Sequence, residues 1–290
     1  MRRYAQIIER LFRVIFAVSA LTAIVAVGLI CVFLFASGLP FIARVGWLDF
    51  LLGTDWSPSD VPPSFGILPM IVGSLYVTLG AVFFGVPIGI LTAVFMARIC
   101  SAKLYRYIRP AVDLLAGIPS VVYGFFGIVV IVPLIRGLFG GNGSSILAAS
   151  LLLGIMILPT VISISETALR AVPDELYEAA VALGASHQRA VFGVVLPAAK
   201  SGVTAAVVLS IGRAIGETMA VKMVAGNQAL LRLPQEFLKG TRTLTANVVI
   251  EMGYAEGPHR EALIATGVVL FVLVLLVNSC FSLLQKRSES

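Results

Sequence analysis

Arg213 and Glu217 stand four positions apart inside an otherwise apolar run, AAVVLSIGRAIGETMAVKMVAG, with Thr218 directly after them. On a continuous helix they share one face, one turn apart. Each costs roughly 2.5–3.5 kcal/mol at the centre of a lone membrane helix, so such residues face a bundle interior or a water-filled path. Two chemistries fit. One is an internal ion pair that neutralises itself and fastens two helices. The other is an oxyanion site. Arginine offers five donors in a planar fork, more than one carboxylate can occupy, so a tetrahedral anion can share it. Gly212 and Gly216 remove bulk around the pair, and Thr218 adds a hydroxyl. At neutral pH phosphate keeps one or two protons and sulfate keeps none. A carboxylate accepts a hydrogen bond from P–OH and only repels sulfate. Arg213 is therefore expected to supply attraction, and Glu217 to select protonated oxyanions. Lys222, two turns beyond Arg213, reads as a snorkelling side chain near the outer mouth.

Such a pair needs a membrane around it, and composition supplies one. Of the 290 residues 59% are hydrophobic and 12% charged, with a mean hydropathy of +1.00. This is a polytopic, all-α membrane chain. Its formal charge of +6 argues for no nucleic-acid partner, because where the charge sits matters more than its sum. Cys31, Cys100 and Cys280 lie in or beside apolar runs, with neither a disulfide framework nor metal-ligand spacing, and read as small buried residues.

Six spans are expected. The first, about Val14 to Ala36, follows Arg2, Arg3, Arg10 and Arg13; it is longer than a signal-peptide core and lacks a clear cleavage site, so it reads as retained. Residues 37–66 are turn-rich, with Trp47 and Trp56 as interface anchors. Span two, Leu68 to Ala97, carries Gly73, Gly80, Gly85 and Gly89, which permit close helix approach. Span three, Ala111 to Ile135, contains Gly117-Ile118-Pro119, where proline removes a backbone bond and kinks or breaks the helix. Span four runs from Ile146 to Leu169, span five from Ala198 to Gly226, and span six from Ala262 to Leu284. Three divisions follow: 1–66 as tail, first span and outer segment, 67–285 as the membrane domain, and 286–290 as a tail.

Lysine and arginine set the orientation. Arg98, Lys103, Arg106, Arg109, Arg170, Arg189 and Lys200 join the N-terminal arginines, Lys286 and Arg287 on one side. The other side carries Arg44, Arg136, Lys222, Arg232, Lys239, Arg242 and Arg260 over much longer loops. The positive-inside rule places both termini in the cytoplasm.

Between spans four and five lies EAAVALGASHQRAVFGVVLP, residues 178–197. Pro173 suits a first helical turn, and Asp174 and Glu175 favour the positive end of its dipole. Ala179, Ala180 and Ala182 favour helix with almost no side chain, so a partner surface can come close. Gly184 suits the left-handed residue that ends a helix. A second helix is expected from Ser186 to Val195, giving a helix–turn–helix knob.

The spacing of Glu178, Ala179, Ala180, Gly184, Val194, Leu196 and Pro197 resembles the EAA loop of ABC-transporter permeases. That resemblance implies a coupling helix docked in a groove of an ATPase subunit. Leu114 to Gly124, with Gly117, Pro119 and Ser120, resembles a span-three signature of phosphate-specific ABC permeases. Arg213-Ala214-Ile215-Gly216-Glu217-Thr218 resembles their span-five signature, whose arginine and glutamate are associated with phosphate passage. Phe65-Gly66 with Leu68-Pro69, and Arg242 to Ala246 with Glu251-Met252-Gly253, resemble the PstC type more than the PstA type.

The resemblance implies a type I ABC permease in a prokaryotic plasma membrane. Its partners would be a PstA-like permease, a PstB-like ATPase dimer carrying ATP and Mg, and a PstS-like phosphate-binding protein. The chain lacks G-x-x-x-x-G-K-[ST], and Gly137 to Gly143 has no such lysine, so ATP is expected on another subunit. HExxH and GxSxG are also absent. The rival readings are a permease for molybdate or sulfate, a standalone channel or proton-coupled carrier, and a non-transporting scaffold or sensor.

Overall fold

The computed structural model describes the backbone of residues 2–289 and the side chains of residues 9–280. The side chains of Arg2, Arg3, Lys286 and Arg287, part of the expected charge pattern, lie outside the described residues. The order is α1 (Arg2–Val45), α2 (Trp47–Leu52), a two-stranded hairpin of β1 (Trp56–Ser57) and β2 (Ser64–Phe65), then α3 (Leu68–Val94). A π-helical turn, Phe95–Ile99, leads to α4 (Ala102–Gly117) and α5 (Ser120–Phe126). A second π turn, Gly127–Ile131, joins α5 to α6 (Val132–Phe139), which precedes α7 (Ile146–Arg170). The knob comprises α8 (Asp174–Ala182), α9 (His187–Ala190), a π turn Val191–Val195 and α10 (Leu196–Ala198). The chain closes with α11 (Lys200–Gly216), α12 (Met219–Val224), α13 (Leu244–Glu251) and α14 (Gly257–Glu289).

Among the described residues five helical stretches are long and apolar enough to cross a membrane: Glu9–Val45, Leu68–Ile99, Ser120–Phe139, Ile146–Arg170 and Gly257–Cys280. The candidate for a sixth is a bent pair, His187–Ala198 and Lys200–Gly216, which turns by 69° at its break; α12 continues the run beyond Gly216. The centre of the bundle is α3 against α7. Added Cβ atoms on Gly80, Gly85 and Gly89 would meet Ser150, Gly154 with Ile157, and Val161, so these glycines set how close the two helices lie.

Span one runs past its expected end at Ala36, because Phe41 and Ile42 are buried beside Phe50, Phe65 and Met70. The helix stops only at Gly46, whose φ of 106° few other residues adopt. Trp47 is 53% exposed. Trp56 is not an anchor. It is 7% exposed, and its indole N–H donates to Glu251 Oε2 at 2.9 Å. The same carboxylate takes Arg242 at 2.6 Å and His259 Nε2 at 2.8 Å, so the outer segment is tied down by a buried polar knot. The cysteine expectation also fails: Cys31 and Cys100 are half-buried and Cys280 exposed. Cys31 and Cys280 sit on α1 and α14, whose faces point largely away from the protein.

The segment between α12 and α13 closes over the start of α7. Ser145, Ile146 and Leu147 donate their N–H groups to the carbonyls of Val224, Lys239 and Phe237. Those are donors that a helix start leaves without an internal partner.

Candidate anion path and coupling surface

Span three is broken where the Gly-Ile-Pro run predicts. Helix α4 ends at Gly117, Ile118 turns extended (φ −69°, ψ 126°), Pro119 follows at φ −59°, ψ 142°, and α5 starts at Ser120. Val112 of α4 packs with Ile162, and Arg109 meets Glu166 at 2.8 Å, so α4 runs beside the knob half of α7. The break therefore lies between the membrane surfaces. The Tyr123 hydroxyl spans it, donating to the Leu115 carbonyl at 2.8 Å. A hollow of about 620 Å³ opens on its α4 side, lined by Pro110, Asp113, Leu114, Gly117, Ile118 and Pro119.

Span five is broken too, and this corrects the expectation of one continuous helix. Helix α11 ends at Gly216, and Glu217 is extended (φ −69°, ψ 127°). Arg213 and Glu217 thus do not share a helical face, and no ion pair joins them among the described residues. The carboxylate turns instead to the start of α12, where Glu217 Oε1 accepts the Ala220 N–H at 3.2 Å. Glutamate takes that role because a helix start presents unpaired donors and positive dipole. Thr218 donates its hydroxyl to the Gly216 carbonyl at 3.2 Å. Helix α13 covers the break: Thr245 donates to the Glu217 carbonyl at 3.2 Å, and the Leu244 N–H to Ser74 Oγ at 2.9 Å.

Arg213 is exposed, and its guanidinium makes one hydrogen bond among the described residues, to Thr160 Oγ1 at 3.0 Å. Thr160 lies roughly 15 Å along α7 from its end at Arg170, near mid-span. The remaining N–H groups of the fork have no partner among the described residues. The half-helices α5 and α12 pack side by side just beyond this level, on the side away from the knob. Their contact needs Gly124, where a Cβ would run into Met223 and Ala220. A guanidinium with no carboxylate partner among the described residues thus stands beside interrupted membrane helices.

At the knob, α8 has no buried residue. Glu178 and Ala179 are exposed and Ala180 is half-buried, while Leu183 is 90% exposed at the tip. Gly184 has φ +87°, its N–H donates to Val181 O at 2.9 Å, and the Ala185 N–H donates to Ala180 O at 3.0 Å. This paired closure at a left-handed glycine is the physical reason for the Ala180-to-Gly184 spacing. Ser186 caps the second knob helix by accepting from the Arg189 N–H.

The residues that seat the knob carry no sequence motif. Arg98, at the end of span two, pairs with Asp174 at 2.6 Å and donates to the carbonyls of Leu169 and Val172. Below it Val172, Val191 and Val195 are buried with Ala93, Val94 and Leu169. Thr160 and Glu166 were equally invisible as site residues. The only hint was a polar or charged side chain inside an apolar run. No group of His, Cys, Asp and Glu suited to a metal occurs among the described residues.

Known proteins share this plan. "Probable ABC transporter permease protein YqgH" of Bacillus subtilis is 38% identical over 99% of this chain and 94% of its own length. "Phosphate transport system permease protein PstC" of Mesorhizobium japonicum is 33% identical, over 95% of this chain and 89% of its own. Among solved structures, an inward-facing MetNI methionine ABC transporter chain superposes with a TM-score of 0.62 at 24% identity, covering 77% of this chain and 95% of that one. The likeness in structure bears on the fold, a type I ABC permease. The profile of "Binding-protein-dependent transport system inner membrane component" proteins matches residues 85–290, and the chain belongs to that family as a permease subunit of an ABC transporter.

Proposed function

We propose that this chain is a permease subunit of an ATP-driven importer of inorganic phosphate. The observation that carries the reading is the unpaired Arg213 guanidinium at mid-membrane, between the breaks at Ile118 and Glu217. The PstC relatives support the choice of anion. In this reading Arg213 attracts the anion. Glu217 Oε1 caps α12, and its second carboxylate oxygen accepts a hydrogen bond from P–OH. Thr218 stands beside them, and Gly117 and Pro119 shape the path.

Both termini and the knob lie in the cytoplasm of the plasma membrane. There Glu178, Ala179, Ala180 and Gly184 present the coupling helix to a PstB-like ATPase dimer, which binds ATP and Mg. A PstA-like permease completes the path, and a PstS-like protein delivers phosphate on the far side. ATP binding closes the ATPase dimer, the knob moves with it, and the site turns from outside to inside.

Reconstituting the complex in proteoliposomes tests the reading. ATP and Mg on the knob side are expected to drive phosphate accumulation, and an ATPase unable to hydrolyse ATP is expected to stop it. Phosphate flux unchanged without hydrolysis makes the chain a channel or carrier instead. Accumulation of sulfate or molybdate in preference to phosphate reassigns the substrate.

A further inference from the structure

Glu166 is a carboxylate 2% exposed inside the knob half of span four. Its two oxygens are divided between two helices. Oε2 takes Arg109 of α4 at 2.8 Å, and Oε1 takes Arg170 of its own helix at 2.7 Å. Each arginine reaches further. Arg109 Nε meets Asp113 at 3.2 Å. Arg170 donates to the Met96 carbonyl in the π turn of span two at 2.9 Å, and its guanidinium lies 4.7 Å from the centre of the Tyr105 ring. One buried anion thus ties span two, span four and the half-helix α4, beside the Arg98 clamp that holds the knob.

The far end of α4 is the break at Gly117, roughly 12 Å from Arg109. The half-helix is otherwise held to the bundle by modest packing: Val112 is its one buried residue. A half-helix gripped near the knob, and joined to α5 at its far end by the Tyr123–Leu115 hydrogen bond, carries displacement from one end to the other. We propose that Glu166 is a positioning residue for coupled transport, carrying knob movement through Arg109 into α4 and so to the path at Ile118–Pro119. This rests on the importer reading above.

The test measures ATP hydrolysis and phosphate uptake together in proteoliposomes of the full complex, comparing wild type with Glu166→Gln and Arg109→Ala. Arg109→Ala leaves the carboxylate paired with Arg170, so it keeps the proposal testable if Glu166→Gln does not assemble. Both variants are expected to keep hydrolysing ATP while uptake per ATP falls about ten-fold, the size of a typical coupling free energy. The double variant is expected to be no worse than the poorer single one, as for residues acting through one contact. Hydrolysis and uptake falling in equal proportion, or an unchanged ratio, would overturn the proposal. Absence of uptake in the wild type would instead count against the importer reading.

Discussion

Replacing Arg213 with alanine is expected to lower ATP-driven phosphate uptake about a hundred-fold, with the complex still assembled. The estimate follows from removing a charge-assisted hydrogen bond, worth roughly 1.5–3 kcal/mol, from a place where water replaces it poorly. Assembly is expected to survive because, among the described residues, the one hydrogen-bond partner of Arg213 is Thr160, and Arg213 is exposed. Arg213→Lys is expected to recover only part of the rate, since a point charge does not reproduce the fork. Uptake by Arg213→Ala at the wild-type rate would move the anion site to the partner permease.

Glu217 has two separable duties, and two substitutions read them apart. Glu217→Gln keeps an oxygen for the Ala220 N–H and so keeps the start of α12, but it removes the negative charge. Preference for phosphate over sulfate, measured by competition in the uptake assay, is expected to fall roughly ten- to a hundred-fold, as for a lost hydrogen bond to a charged group. Glu217→Ala loses the cap as well, and is expected to cost about 1 kcal/mol of stability in addition. Unchanged selectivity in Glu217→Gln leaves the side chain as a cap alone.

Glu217 also marks where sequence reading stops. Its spacing from Arg213 looked helical, and glycine at 216 did not by itself announce an end. What breaks the helix is tertiary: α13 folds over the spot, Thr245 takes the freed Glu217 carbonyl, and α12 restarts against α5. The break in span three was legible because proline at 119 removes a donor wherever it stands. The knob was legible for a similar reason, since Gly184 must be left-handed to close α8. Apolar run lengths placed most spans to within a turn or so; the exceptions are α1, where Phe41 and Ile42 find partners only in the folded chain, and span three, expected from Ala111 but apolar enough to cross only from Ser120 to Phe139. Trp56 was misplaced because an indole at a membrane margin and one buried on Glu251 look alike in sequence. The Arg98 and Glu166 contacts join residues far apart along the chain, and nothing local marks them.

The claim at the centre of this account is that phosphate passes Arg213 between the two broken spans. The direct test is thiol labelling of Thr160→Cys in the assembled transporter, with Cys31, Cys100 and Cys280 replaced. Residue 160 touches the guanidinium and is half-buried, so a small water-soluble reagent is expected to modify it during ATP turnover. Phosphate is expected to slow that modification, and sulfate at the same concentration is not. A thiol that never reacts, or one that reacts at a rate indifferent to phosphate, would contradict a path at this level of the membrane.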